Sequence, residues 1–161
     1  MNFLEELVAE WYEYQGYFVR RNVRVGKRAK GGHEGELDVV AFHPLHRHLV
    51  HVETSMDADS WSERAQRLSQ KFKTGEKHIR QLFSGLQLPE QIEKRVVFGI
   101  GSTAKVKIIA GAQVLMVQDL LFEILTKLKS VSWFSSSVPE AYPLLRTLQV
   151  SWTFRQTLFN E

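Results

Sequence analysis

Two short apolar segments separated by a turn constrain the fold of this chain more than any other feature. Residues 36–42 and 48–53 are rich in branched apolar side chains, as β-strands are, and residues 43–47 between them carry a proline turn signal. We predict that the two strands pair as a hairpin. In that hairpin Asp38 can meet Glu53 across the ladder, inside a largely apolar setting.

The remaining periodicity predicts an α/β order of elements. Apolar positions at helical spacing, strand-like alternation and capping residues place the other elements along the chain. The predicted elements are a helix near 4–15 with Glu6, Glu10 and Glu13 on its polar side, a strand at 17–25, a helix at about 60–83, a buried central strand at 95–100, a short helix from Ser102 through Ala110, a strand at 114–117 and a helix at 120–128 capped by Asp119. Pro139 and Pro143 limit helix formation near the end.

Length and composition favour one domain. The chain has 161 residues, 43% of them apolar, and lacks an obvious linker. We predict a single domain over 1–161, with a core at about 3–101 and a C-terminal helix–strand–helix extension at about 102–161.

The absence of cysteine and of long apolar runs narrows the function classes. Disulfides, thiolate metal sites and cysteine nucleophiles are excluded, and a reducing cytoplasm is the expected compartment. No apolar run approaches the roughly 20 residues of a membrane span, and the N-terminus indicates a helix and not a signal peptide. Five histidines crowd residues 33–51, but their spacing does not match a zinc ligand set.

Acidic side chains in the predicted hairpin point to a cation. The two-residue spacing places Glu36 and Asp38 on one face of their strand, and it places His51, Glu53 and Ser55 on one face of the next. Two carboxylates held together among apolar side chains repel each other and lose solvation unless a cation or proton lies between them. Mg²⁺, or Mn²⁺, is the expected cofactor because hard ions prefer carboxylate oxygens and waters.

Charge is distributed unevenly along the chain, although the net charge is only +3. A basic run without acids enters a glycine-rich loop beside the acidic strands. We expect it to contact the phosphate backbone of DNA, which positions a duplex without reading its sequence. The residues of this run are Arg20, Arg21, Arg24, Lys27, Arg28 and Lys30.

An ordered set of short motifs resembles the PD-(D/E)XK, or restriction-endonuclease-like, nuclease superfamily, and within it the Holliday junction resolvase-like small endonucleases. The motifs cover roughly residues 3 to 55. They are Glu5-Glu6-Leu7-Val8-Ala9, Gly16-Tyr17, Arg21-Asn22, Gly35-Glu36-Leu37-Asp38-Val39-Val40-Ala41 and Val52-Glu53. The resemblance implies an αβββαβ core, with a central mixed sheet flanked by helices, and Mg²⁺-dependent hydrolysis of DNA.

The resemblance also implies roles for individual residues. Asp38 would be the metal-bridging aspartate and Glu53 the second carboxylate ligand. Glu5, at the border of the apolar face of the first helix, is favoured over Glu6 as a third ligand. Glu36 is a candidate accessory ligand, and His51 is a candidate neighbour of the metal.

One position departs from the superfamily pattern. The pattern requires a lysine two residues after the glutamate, and this chain has Ser55 there, which cannot place a fixed positive charge by the transition state. Some members recruit the lysine from the following helix. Lys71 flanks the buried stripe of that helix and is the favoured substitute, with Lys73 less well placed; an ordinary solvated lysine is the competing interpretation.

The sequence therefore supports two main hypotheses. The leading one is a metal-dependent endonuclease that hydrolyses DNA phosphodiester bonds through an activated water, without a small-molecule cofactor and without a membrane. The alternative is a protein that keeps the nuclease fold but has lost catalysis with its motif lysine, and acts as a nucleic-acid-binding or structural partner. A homodimer is a further possibility, since small nucleases of this type often work as dimers.

Overall fold

The protein has an α/β fold in which helices flank a six-stranded mixed sheet. The computed structural model describes residues 2–100 and 106–159. Its elements are α1 (Phe3–Tyr14), β1 (Phe18–Lys27), β2 (His33–His43), β3 (His48–Ser55), α2 (Trp61–Leu82), β4 (Glu93–Phe98), β5 (Ile108–Ile109), β6 (Ala112–Met116), α3 (Val117–Leu128), α4 (Pro143–Thr153) and α5 (Arg155–Phe159).

The sheet has the strand order β1-β2-β3-β4-β6-β5. The strand β2 runs antiparallel to both β1 and β3, whereas β4 runs parallel to both β3 and β6, and β5 closes the edge antiparallel to β6. The predicted hairpin is present, with Val39 opposite Val52. The prediction of an α/β fold with a central mixed sheet is confirmed.

Both long N-terminal helices begin at capping boxes. The Asn2 side chain accepts hydrogen bonds from the first turn of α1 while Glu5 bonds back to Asn2, and Ser60 and Glu63 repeat this arrangement at α2. Each box satisfies backbone donors that a helix start leaves unpaired. Both helices pack on β1, β2 and β3, which fixes the position of α2 against the acidic strands.

Two apolar clusters support the sheet. One joins β1, β2 and β3 to the C-terminal half of α2, and the other joins the middle of α2 to β4, β5 and β6. Their buried members are Val25, Leu37, Val40, Phe42, Leu49, Ile79 and Phe83 in the first, and Leu68, Phe72, Val96, Phe98, Ile109, Ala112 and Met116 in the second.

The β1–β2 ladder changes its alternation beside Asp38. The register passes from Arg21 opposite Val39 to Val23 opposite Leu37, and Asn22 between them has a φ of +49°, in the left-handed region. Irregular backbone of this kind interrupts the strict two-residue period of a strand. Leu37 and Val40 belong to the same cluster against α2, which strict alternation does not allow. The predicted shared face of Glu36 and Asp38 is accordingly wrong: Asp38 contacts Lys71 of α2, and Glu36 is exposed.

Several other expectations require correction. Ile108 and Ile109 form a strand and not the end of a helix, while the predicted start of that helix at Ser102 lies outside the described residues. Pro143 opens α4, because a proline at the first helical position removes no needed hydrogen bond. Glu10 is buried, since six consecutive residues from Leu7 to Tyr12 are covered and α1 buries far more than one stripe.

The chain forms two compact units, one ending at Val117 and one beginning at Gln118. The first unit contains all six strands, so β5 and β6 belong with the predicted core although they lie beyond residue 101. The second unit is helical, and the buried side chain of Gln149 organises it by accepting from the backbone N–H of Val138 and donating to the carbonyl of Val131. In the described part of the chain, no helix has the length and apolarity that crossing a bilayer requires.

Candidate functional site

Lys71 joins the two carboxylates of the hairpin. It lies on α2, and its ammonium Nζ is 2.7 Å from Oδ1 of Asp38 and donates a second, shorter hydrogen bond to Oε2 of Glu53. Asp38 lies in the middle of β2 and Glu53 lies near the end of β3, and both are buried. Two carboxylate oxygens from neighbouring strands therefore converge on the ammonium of Lys71, and we call this position the cationic point.

The second oxygen of each carboxylate is held by the surrounding protein. Oδ2 of Asp38 accepts from the backbone N–H of Thr54 at 2.8 Å and from the Thr54 hydroxyl at 3.2 Å. Oε1 of Glu53 is 2.7 Å from Nε2 of His51 and 3.5 Å from the backbone N of Asp38. Each carboxylate is thus oriented by one oxygen and presents the other to the cation.

Electrostatics differ between the two acids. Burial, together with the charge of Glu53, raises the pKa of Asp38, and Lys71 offsets this only in part. Burial would also raise the pKa of Glu53, but the hydrogen bond from His51 and the charge of Lys71 lower it overall. Burial disfavours the ammonium of Lys71, yet the two carboxylates outweigh it and raise its pKa, so Lys71 is charged at neutral pH.

The donor set fits a small hard cation. Two negative carboxylates face a single ammonium, so the three charged groups at the cationic point sum to −1. Mg²⁺ is typically bound by one or two carboxylates and several waters, which is the number of carboxylates that converge here. The side chain of Lys71 remains 32% exposed, whereas that of Asp38 is 9% exposed.

Ser55, where the sequence resemblance led us to expect a lysine, belongs to a separate set of contacts. Its hydroxyl donates to Asp57 and accepts from Arg67 at 3.3 Å. Arg67 lies one helical turn before Lys71 and also pairs with Asp57 and Asp59. A second ionic cluster therefore adjoins the first, and Ser55 belongs to it.

The first helix does not supply a third carboxylate to this site. Glu5 is engaged with Asn2 in the capping box, and Glu6 forms an ion pair with Arg21. Across residues 2–100 and 106–159, no group of three or more histidine, aspartate or glutamate side chains is arranged to hold a metal ion. The three-ligand set of Glu5, Asp38 and Glu53 is not assembled.

The other predicted residues lie around the site or away from it. Glu36 is exposed and pairs with Arg24 at 3.3 Å, and Lys73 is exposed on α2. Arg21, a member of the predicted phosphate-binding run, is bound by Glu6 and by Glu13. The residues of that run that form no ion pair with a described residue are Arg20, Lys27, Arg28 and Lys30, and the last two are exposed in the loop after β1.

Sequence reasoning missed Thr54 and Arg67. Thr54 is an ordinary strand residue in the pattern, and only its hydrogen bonds to Asp38 reveal its role. Arg67 did carry a signal, since it lies four residues before Lys71 and such residues share one face of a helix.

Comparisons with known proteins show similarity to a solved structure that has no assigned function. No family model matches the sequence, and no curated protein matches it. One matching solved structure is the crystal structure of a protein of unknown function, AF1548, which is 14% identical. That match covers 93% of this chain and 96% of the other, with a TM-score of 0.47.

Proposed function

We propose that the protein is a metal-dependent endonuclease that hydrolyses phosphodiester bonds in DNA. The observation that carries the proposal is the convergence of Asp38 and Glu53 on one cationic point, with Lys71 delivered there from α2. This is the lysine recruitment that the PD-(D/E)XK resemblance requires of a chain with Ser55 in the motif position. The order of elements from α1 to β4 agrees with the αβββαβ core of that superfamily.

Each residue has a defined part in such a reaction. Asp38 and Glu53 would hold the divalent cation, which when bound would lower the pKa of water and offset charge on phosphate. The long stem of Lys71 lets its ammonium move from the carboxylates to the attacking water or a phosphate oxygen. The water oxygen bonds to phosphorus and gives up one proton to solvent, one ester P–O bond breaks, and the departing oxygen takes up a proton from solvent.

The hairpin between β1 and β2 is the proposed DNA contact. Lys27, Arg28 and Lys30 lie at its tip, and β2 runs from that tip directly to Asp38. Their charge is not neutralised by ion pairs with described residues, in contrast to Arg21 and Arg24. Cationic side chains on a projecting loop suit contacts with the phosphate backbone.

The alternative of an inactive nucleic-acid-binding protein is less well supported. That alternative expects the α2 lysine to point into solvent and Ser55 to stand alone at the site. Lys71 instead forms ion pairs with both carboxylates. Burying these charges carries a desolvation penalty, which favours a role for them in the site.

The proposal is tested by replacing Asp38 with alanine. We expect wild-type protein to bind Mn²⁺ in calorimetry and to nick plasmid DNA with Mg²⁺ or Mn²⁺. The variant should lose measurable binding and cleave no faster than a reaction without protein, because one of two convergent carboxylates is gone.

Glu36→Gln is the matched control. It removes a carboxylate two residues away on the same strand, but this group is exposed and pairs with Arg24, so binding and cleavage should persist. Wild-type protein that binds no Mn²⁺ and leaves DNA intact would contradict the nuclease proposal, and retained DNA binding would then favour the inactive alternative.

Neutralising the hairpin tip should weaken DNA binding without unfolding the protein. Affinity for DNA falls as salt concentration rises, and replacement of Lys27, Arg28 and Lys30 by glutamine should make this fall shallower. The magnitude of the slope of log affinity against log salt should decrease by about 0.9 for each phosphate that is no longer neutralised, so by up to about 3. A titration series in increasing salt measures this slope. The same removal of charge at three other exposed lysines should leave it unchanged; these are Lys107, Lys127 and Lys129. Equal slopes for both triple variants would remove the hairpin from the interface.

A further inference from the structure

His51 is a buried histidine that contacts the candidate site, and the reaction outlined above does not use it. Its side chain is 1% exposed, and its Nε2 lies 2.7 Å from Oε1 of Glu53. With that exposure it cannot touch DNA or an attacking water. Any role in the site must therefore act through Glu53.

The imidazole of His51 is locked in place by its neighbours on α2. Its ring packs edge-to-face against Phe72, with centroids 4.9 Å apart. Gly75 also lies against the ring, and a Cβ at that position would come within 2.4 Å of Nδ1. A glycine in the middle of a helix costs about 1 kcal/mol of stability relative to alanine. Glycine is explained here because the His51 ring occupies the space that a Cβ would need.

A fixed donor at Nε2 determines how Glu53 presents its second oxygen. The terminal torsion of a glutamate is broad and roughly two-fold, so a carboxylate without partners rotates freely. The hydrogen bond from His51 ties Oε1 down and leaves Oε2 directed at the point shared with Asp38. Thr54 restrains Asp38 in the same way through its other oxygen.

We propose that His51 is a positioning residue that orients Glu53 for binding of a divalent cation. The inference rests on the proposed function, since it assigns a partner to the same metal site. A purely structural role is the competing explanation, and it is disfavoured by the geometry. An apolar side chain could fill the space between β3 and Phe72 without burying a polar group beside a carboxylate.

Binding of Mn²⁺ alone, measured by calorimetry, tests the inference without relying on cleavage. We expect His51→Leu to raise the dissociation constant about 10–100-fold, the usual effect of removing a group that orients a metal ligand. His51→Gln keeps an N–H donor toward Glu53 and should restore most of the affinity. It also serves as the informative variant if His51→Leu fails to fold.

His48→Leu is the matched control, because His48 lies on the same strand and is paired with Glu93 in a similar histidine–carboxylate contact. Its Mn²⁺ affinity should equal that of the wild type. If the wild type binds Mn²⁺ and His51→Leu binds it equally well, the inference about His51 is overturned but the proposed function is not. Equal losses in the leucine and glutamine variants would also overturn it, by showing that bulk and not the donor matters. No binding by the wild type would overturn the inference together with the proposed function.

Discussion

Replacing Lys71 with methionine should abolish most of the catalytic activity and destabilise the protein, while leaving it able to bind a divalent cation. Loss of a fixed positive charge at a reacting phosphate typically costs about 10²–10³-fold in rate. Removing one partner of a buried ion pair costs about 3–5 kcal/mol. We expect about 2–3 kcal/mol here because Lys71 is 32% exposed. Urea unfolding and plasmid nicking measure the two effects separately.

The loss of stability in this variant should depend on pH with a defined sign. Without Lys71, burial and the charge of Glu53 raise the pKa of Asp38 with less opposition. A carboxyl group whose pKa is raised on folding destabilises the folded state increasingly as pH rises from its unfolded-state pKa through its raised folded-state pKa. The deficit should therefore shrink as pH falls through the raised pKa of Asp38. Mg²⁺ should also stabilise the variant more than the wild type, because it replaces the missing positive charge.

Lys73→Met is the control for Lys71, since Lys73 is exposed on the same helix. It should retain wild-type stability and cleavage. A Lys71→Met protein that cuts DNA at the wild-type rate would remove Lys71 from the mechanism. A deficit that grows toward low pH would contradict the assignment of Lys71 as the counterion of the two carboxylates.

Replacing Arg64 with methionine should produce the largest loss of stability outside the candidate site. Arg64 is only 3% exposed at the start of α2. Its guanidinium donates to the carbonyls of Asp57 and Ile100 at 2.6 and 3.1 Å. It also lies over the rings of Trp61 and Phe98, 5.0 and 4.5 Å from their centroids.

Methionine can fill the same volume, but it leaves the carboxylate of Asp57 and two carbonyls without this donor. We expect a loss of about 3–5 kcal/mol in the free energy of unfolding, measured by urea titration. Arg67→Met is the comparison, because Arg67 shares Asp57 but its side chain is 40% exposed. Pairs with such exposure contribute about 0–1 kcal/mol. Equal losses in the two variants would show that burial of Arg64 is not the source of its effect.

The hairpin and its acids could be predicted because their causes are local. Strand periodicity and the proline turn predicted that β2 and β3 pair, and pairing in that register brings Asp38 beside Glu53. Helical periodicity likewise placed Lys71 at the edge of the buried stripe of α2. The general α/β order followed from the same two periods.

Competition between possible partners does not show in a local pattern. Glu5 has the right spacing for a ligand, and in the structure the capping box at Asn2 engages its carboxylate. Arg21 has the right charge for a DNA contact, and two acids of α1 bind it. In both cases the side chain has a partner that the pattern did not indicate, because the choice of partner depends on three-dimensional distances.

The sequence by itself therefore determined which residues face inward along β2, β3 and α2, apart from the irregular stretch of β2 opposite Asn22. The tertiary structure alone decided which of those faces meet. Whether Lys71 reaches both carboxylates depends on how α2 crosses the sheet, and that crossing is set by packing of Phe72, Ile79 and Phe83 against strands far away in the chain. Local periodicity shows which side of a strand or helix faces the core. Contacts between distant segments depend in addition on how the surfaces of the two segments fit together.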